Sequence, residues 1–127
     1  MPREPIPEEV RRFVLTSVLS VPFLEALLLY REARGEALPP TQVGRRLYIS
    51  ERATVEVIEQ LLASRFIEPA TGDALGHRFA PEGEVAALVE QVAHYYRSHL
   101  VEVTALIHSK TGRMATQFAD AFKFRKD

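Results

Sequence analysis

Four histidines, a scatter of serines and no cysteine are the residues of this 127-residue chain whose types invite chemistry. Glu90 and His94 stand four apart, which places both on one face of a helix and offers two metal ligands. Zinc sites take three or four protein ligands. No third donor lies close to the pair in sequence, and His77, His99 and His108 stand apart from it, so neither a metal nor a cofactor is expected. Ser17, Ser20, Ser50 and Ser64 are each explained by a helix cap or a helix face. There is no nucleophile elbow, phosphate-cradling glycine loop or dinucleotide fingerprint, and the chain is not expected to be an enzyme.

The bulk numbers fit a binding protein with an ordinary core. Apolar residues make up 46% of the chain and charged residues 26%, the balance of a globular domain. Net charge is −1, and the signs are evenly spread: five basic and six acidic groups in residues 1–40, five and five in 41–80, six and six in 81–127. There is thus no basic or acidic tail, and any electrostatic footprint has to be a local patch. The opening "MPREPIPEEV" lacks the apolar run and cleavage site of a secretory leader, no stretch reaches transmembrane length, and cysteine is absent. A cytoplasmic location with no membrane contact is the expectation.

The elements that must position any patch can be read from spacing. After a proline-rich lead-in, Val10, Phe13, Val14 and Val18 follow helical spacing behind Glu8 and Glu9. Ser20 is an N-cap with Pro22 in the first turn of a second helix, which Gly35 ends. Thr41 can cap a short helix, "QVGRRLY", and Ser50 a longer one, "ERATVEVIEQLLAS". The few residues between them make the tight connection of a helix-turn-helix. "RFIEP" and "HRFAP" are strand candidates separated by the turn-rich "ATGDALG". From Pro81 one helix of about 28 residues is expected, spanning roughly 42 Å. Gly112 breaks it, and "RMATQFADAFKF" forms a last short helix.

This order, and the wording "VGRRLYISERATVEVIEQLLASRFIEP", resemble the winged helix-turn-helix domains of bacterial transcriptional regulators, broadly of the MarR and Rrf2 kind. Leu47, Ile49, Ser50, Thr54, Val55, Ile58 and Leu62 fall at matching positions, while Tyr48 and Phe66 stand where small or turn residues are common in the family. The likeness is strong over the middle third of the chain and looser over residues 8–110. It implies a mainly α fold with a small β-wing: a winged helix-turn-helix domain over 8–80 and a helical dimerisation and tail region over 81–127. It also implies a bacterial, DNA-binding regulator of transcription.

In such a protein the helix opening at Ser50 would lie in the major groove of double-stranded DNA. With Val55, Ile58 and Leu62 taken as its core face, Ser50, Arg52, Ala53, Glu56, Val57 and Gln60 are the residues expected to face bases. Glutamate accepts from the cytosine amino group, glutamine pairs with adenine, and small apolar groups touch the thymine methyl. The segment from Tyr48 to Pro69 nevertheless holds four glutamates against two arginines, so affinity has to come from phosphate contacts made elsewhere. Arg45, Arg46, Arg65, His77 and Arg78 are the candidates, with Arg52 at the helix start. The competing expectation is a winged-helix protein-interaction module that does not itself bind DNA.

Along the long helix, Val85, Val89, Val92, Tyr96, His99, Val103 and Leu106 alternate in steps of four and three, the spacing of a seam between helices. A homodimer seam is expected there, with protonation of His99 near pH 6 as a way to loosen it; the alternative is an internal seam, one long core helix packing on the first two helices. Phe118 and Phe122, on one stripe with Met114, are expected to pack back on the fold or to dock a protein partner. A third expectation is a ligand pocket between the long helix and the first helix, with Tyr30, Tyr95 and Tyr96 as its aromatic lining.

Overall fold

The computed structural model describes residues 4–72 and 74–109. Among these described residues six helices and one two-stranded antiparallel sheet follow in the order α1 (Glu8–Ser17), α2 (Val21–Glu32), α3 (Pro40–Leu47), α4 (Glu51–Ala63), β1 (Ile67–Pro69), β2 (His77–Phe79), α5 (Gly83–Ser98) and α6 (Leu100–Ser109). The architecture is mainly α with a small wing, as expected.

The centre of the fold is α2. Ser20 caps it, its Oγ accepting from the Phe23 N–H at 3.1 Å. Phe23, Leu24, Ala26, Leu27 and Tyr30 are all buried, more than a surface helix would need, because α3, α4 and β2 all pack on this one element. The chain leaves α2 through Arg34 and Gly35, both at positive φ. Between α1 and α2 it turns by 113°, which brings Phe13 beside Phe66 at the entrance to the wing. Phe66 meets Phe13 and Phe23 edge-on, with centroids 5.8 and 6.0 Å away. Such pairs contribute about 0.5–1.5 kcal/mol each beyond their buried area.

The two wing strands pair Ile67 with Phe79, Glu68 with Arg78 and Pro69 with His77. A single residue before α3 extends this sheet: the Leu38 N–H donates to the His77 carbonyl at 2.8 Å, and the His77 N–H returns to Leu38 at 3.2 Å. Gly76 makes that approach possible. At φ +99° a Cβ there would sit 2.1 Å from the Leu38 carbonyl oxygen.

Three expectations need correction. Helix α3 begins at Pro40, behind an extended Pro39 with no side-chain cap, so Thr41 lies inside the helix rather than at its cap. The long helix is not continuous: it ends at Ser98 and restarts at Leu100. The heptad stripe is also an internal seam. Val89, Val92, His99 and Val103 are buried within the chain's own fold, where α5 packs on α1, and only Val85 stays exposed while Tyr96 and Leu106 are half-buried. One continuous cluster therefore runs from Ile6 to Ile107. Met114, Phe118 and Phe122 lie outside the described residues. Among the described residues no single helix is long and apolar enough to cross a membrane.

Tyr30 is fully buried, and its hydroxyl has no hydrogen-bond partner among the described residues. Burial pushes its pKa up to about 12. A buried hydroxyl without a partner costs about 1–3 kcal/mol. Tyr30→Phe keeps the ring and removes that cost, so urea denaturation is expected to show a gain of roughly 1 kcal/mol.

Candidate functional site

The helix-turn-helix pair is held by a contact that only glycine permits. A Cβ on Gly44 of α3 would lie 2.6 Å from Thr54 Oγ1 on α4, so the two helices approach closely here. Thr54 is buried, and its hydroxyl donates to the Ser50 carbonyl at 2.8 Å. Ser50 Oγ in turn accepts from the Ala53 N–H at 3.0 Å, the cap anticipated for α4. Between the helices Tyr48 takes the left-handed conformation, φ 56° and ψ 42°, with its side chain 95% exposed.

This arrangement fixes the rotation of α4 and changes which residues face outward. Thr54, Val57, Ile58 and Leu61 form the buried stripe. Val57, expected to face bases, is only 5% exposed, whereas Val55, expected in the core, is 49% exposed. Spacing alone did not decide between them, because valine occupies both positions and each completes a helical stripe with Ile58. What decides is the contact of Thr54 with Gly44, which leaves room for it on the α3 side, while its hydroxyl is satisfied within α4 by the Ser50 carbonyl. The exposed surface of α4 and its cap is therefore Ser50, Glu51, Arg52, Val55, Glu56, Glu59 and, at its end, Ala63, with Ala53, Gln60 and Leu62 half-buried. Glu51 and Val55 are the outward residues that the spacing argument missed.

The five proposed phosphate ligands do not share one face. Arg45 lines a hollow between α3 and α4 with Pro40, Thr41, Ile49, Glu51 and Val55. Arg46, turned by one residue of helix, instead lines a cleft of about 370 Å³ between α2, α3 and α5, with Leu28, Leu47 and Tyr96. Arg65 is exposed at the end of α4 and holds the left-handed position there, φ 63°. The Phe66 N–H donates to the Leu61 carbonyl and the Arg65 N–H to that of Leu62, a Schellman closure that sends Phe66 into the core. Arg78 is tied across the wing to Glu68 at 2.7 Å, and His77 is half-buried with its Nδ1 enclosed and, among the described residues, without a partner. Among the described residues Arg45, Arg52 and Arg65 enter no salt bridge and remain available.

Elsewhere, the pair that suggested metal ligation has another use. Glu90 accepts from both Nε and a terminal nitrogen of Arg31, at 2.7 and 3.0 Å, which links α2 to α5. That guanidinium holds the Glu90 carboxyl below the usual carboxylate range. The three tyrosines also separate: Tyr30 is core, Tyr96 lines the cleft beside α3, and Tyr95 packs on His99 and reaches Glu4.

The geometry has a counterpart among solved structures. The crystal structure of RV1404 from Mycobacterium tuberculosis superposes with a TM-score of 0.51 at 12% identity, covering 90% of this chain and 82% of the other. The fold is a winged helix. A second crystal structure, of the zinc-dependent MarR-family transcriptional regulator AdcR in its zinc-bound state, matches with a TM-score of 0.39 at 15% identity over 99% of this chain and 80% of that one. No protein-family model and no curated protein matches the chain.

Two substitutions test the turn. Tyr48→Gly removes the cost of a left-handed side-chain-bearing residue and is expected to stabilise the chain by roughly 1 kcal/mol in thermal or urea unfolding. Gly44→Ala forces α3 away from Thr54 and is expected to cost roughly 1–3 kcal/mol in the same measurement.

Proposed function

We propose that this chain is a winged-helix transcriptional regulator that reads duplex DNA with the N-terminal half of α4. The observation that carries the reading is the exposed surface of α4 itself: Ser50, Arg52, Val55 and Glu56 stand clear of the core, between Arg45 on one side and Arg65 at the far end. In the major groove Val55 meets a thymine methyl and Glu56 accepts from a cytosine amino group, with Gln60 at the margin. Arg45, Arg52 and Arg65 neutralise phosphates and set the register. Because Glu51, Glu56 and Glu59 repel the backbone, non-specific affinity is low and discrimination rests on the few bases touched. A two-fold dimer in a bacterial cytoplasm would present two such helices to an inverted repeat. Val85, Leu100 and Val101, apolar and exposed on α5 and α6, are the described residues available to its interface.

One observation favours a second reading, a protein-interaction module. The outward face of α4 carries three glutamates and one arginine, Arg46 points elsewhere, and Tyr48 holds a wholly exposed ring in a strained turn beside it. A basic, partly apolar protein surface complements such a face better than a polyanion does.

Selection from fragmented bacterial genomic DNA at low and near-physiological salt separates the two. On the selected site, Arg45→Ala with Arg52→Ala is expected to weaken binding to every sequence and to reduce the salt slope by about 0.9 for each lost contact. Arg46→Ala is expected to leave both unchanged, and Glu56→Gln to tighten binding while relaxing preference at one base pair by roughly 1–3 kcal/mol. No enrichment at low salt, or an unaltered salt slope in the double variant, sinks the DNA reading.

A further inference from the structure

The break between α5 and α6 has no cause in residue type. From Glu84 to Thr111 the chain contains neither glycine nor proline, and the heptad stripe keeps its phase through the break, with Tyr96, His99 and Val103 in step. Sharp kinks in helices come from proline, from glycine or from a group inserted into the ladder. Here the deviation is confined to one residue, His99, at φ −130° and ψ 44°. The ladder resumes around it: the His99 N–H donates to Tyr95 at 2.7 Å and the Val103 N–H to His99 at 3.0 Å.

What His99 gains is a partner outside the helix. Its ring is buried, only 4% exposed, and Nε2 lies 2.6 Å from the backbone carbonyl of Glu4. A carbonyl can only accept, so Nε2 carries the proton. Nδ1 lies 2.7 Å from Ser98 Oγ, and both ring nitrogens are therefore used. The same segment is held twice more: Tyr95 Oη donates to the Glu4 carboxylate at 3.5 Å, and Ile6 is buried in the core. Ile6 also lines a hollow with Arg11 and with Glu102, Ala105 and Leu106 of α6, so the segment before α1 lies alongside the second half of the broken helix.

We propose that His99 is a single-residue hinge latched by the N-terminal segment. While residues 4–6 occupy their place, the His99 ring is drawn to the Glu4 carbonyl and α6 is held at an angle to α5. When the segment leaves, His99 loses its acceptor, returns to helical dihedrals, and α5 and α6 become the one continuous helix that the heptad stripe encodes. The direction of α6 then reports whether the N-terminus is docked. This device goes beyond the proposed DNA reading and stands or falls without it.

The test uses the full chain with spin labels at the exposed positions Glu84 and His108. A continuous helix separates their backbones by about 36 Å, at 1.5 Å per residue. Pulsed dipolar spectroscopy is expected to give a clearly shorter distance for the otherwise unaltered chain. His99→Ala, which removes the latch, and Ile6→Asp, which expels the segment while leaving the sequence of α5 and α6 unchanged, are both expected to move the distribution toward the continuous-helix value. Far-UV circular dichroism should hold or gain helical signal in both, since rejoining adds helix and unfolding removes it. His99→Gln, which restores a side-chain N–H donor, is expected to recover the short distance. An unchanged distance in either disrupting variant overturns the latch, as does a loss of helical signal in both, and a starting distance already near 36 Å overturns the bend itself.

Discussion

Everything the molecule presents outward depends on one crowded point, where Gly44 of α3 lies against the hydroxyl of Thr54. A side chain on either helix that needed more room would push the pair apart, and a residue at 54 with no inward acceptor would carry an unsatisfied hydroxyl into the core. Because the Ser50 carbonyl, within α4 itself, takes that proton, Thr54 can be buried against Gly44 with its hydroxyl satisfied, and the Gly44–Thr54 contact sets which face of α4 turns inward. That rotation is what puts Val55 and Glu56 in water and Val57 inside. The surface chemistry of the helix thus follows from a polar contact beneath it.

Around that point the fold is organised as layers over α2. The helix-turn-helix and β2 pack on α2, α5 covers α1, and Phe66 fastens the entrance to the wing by meeting aromatic rings from both α1 and α2. The electrostatic design is less uniform than a nucleic-acid reader usually shows. Adjacent arginines on α3 serve different surfaces, one beside α4 and one over a cleft lined by both leucines and charged side chains, and the wing arginine is already paired with Glu68. Whatever binds the outward face meets two or three free guanidinium groups and three carboxylates, a pattern better suited to discrimination than to tight general attraction.

Much of this was legible in the sequence where local chemistry decides the outcome. Ser20 and Ser50 cap their helices because hydroxyl oxygens satisfy exposed amide groups at short range, and the wing strands lie where a turn-rich loop separates two short apolar runs. The failures share a cause: each was decided by a partner distant in sequence or by a choice that periodicity leaves open. Valine at both 55 and 57 satisfies either rotation of α4, and only Gly44 distinguishes them. Arg45 and Arg46 look equivalent as a basic pair until the neighbours of α3 are in place. His99 sits on a flawless heptad stripe, and the carbonyl its ring bonds lies at residue 4. The stripe's spacing leaves open what it faces, and much of it is buried in the chain's own core.

The exchange of hydrogen bonds between Leu38 and His77 has a further consequence for the wing. It welds the strand pair to the segment that launches α3, so wing and helix-turn-helix form one mechanical unit. The connection from Ala70 to Gly76 is closed at its base by the Ala70 N–H on the Gly76 carbonyl, 2.9 Å apart. Thr71, Gly72, Ala74 and Leu75 lie beyond that closure and are exposed, so they do not enter the packing that places α4. The tip of the wing is therefore the part of this protein that can be lengthened, labelled or exchanged for another loop while the outward face of α4 stays where it is.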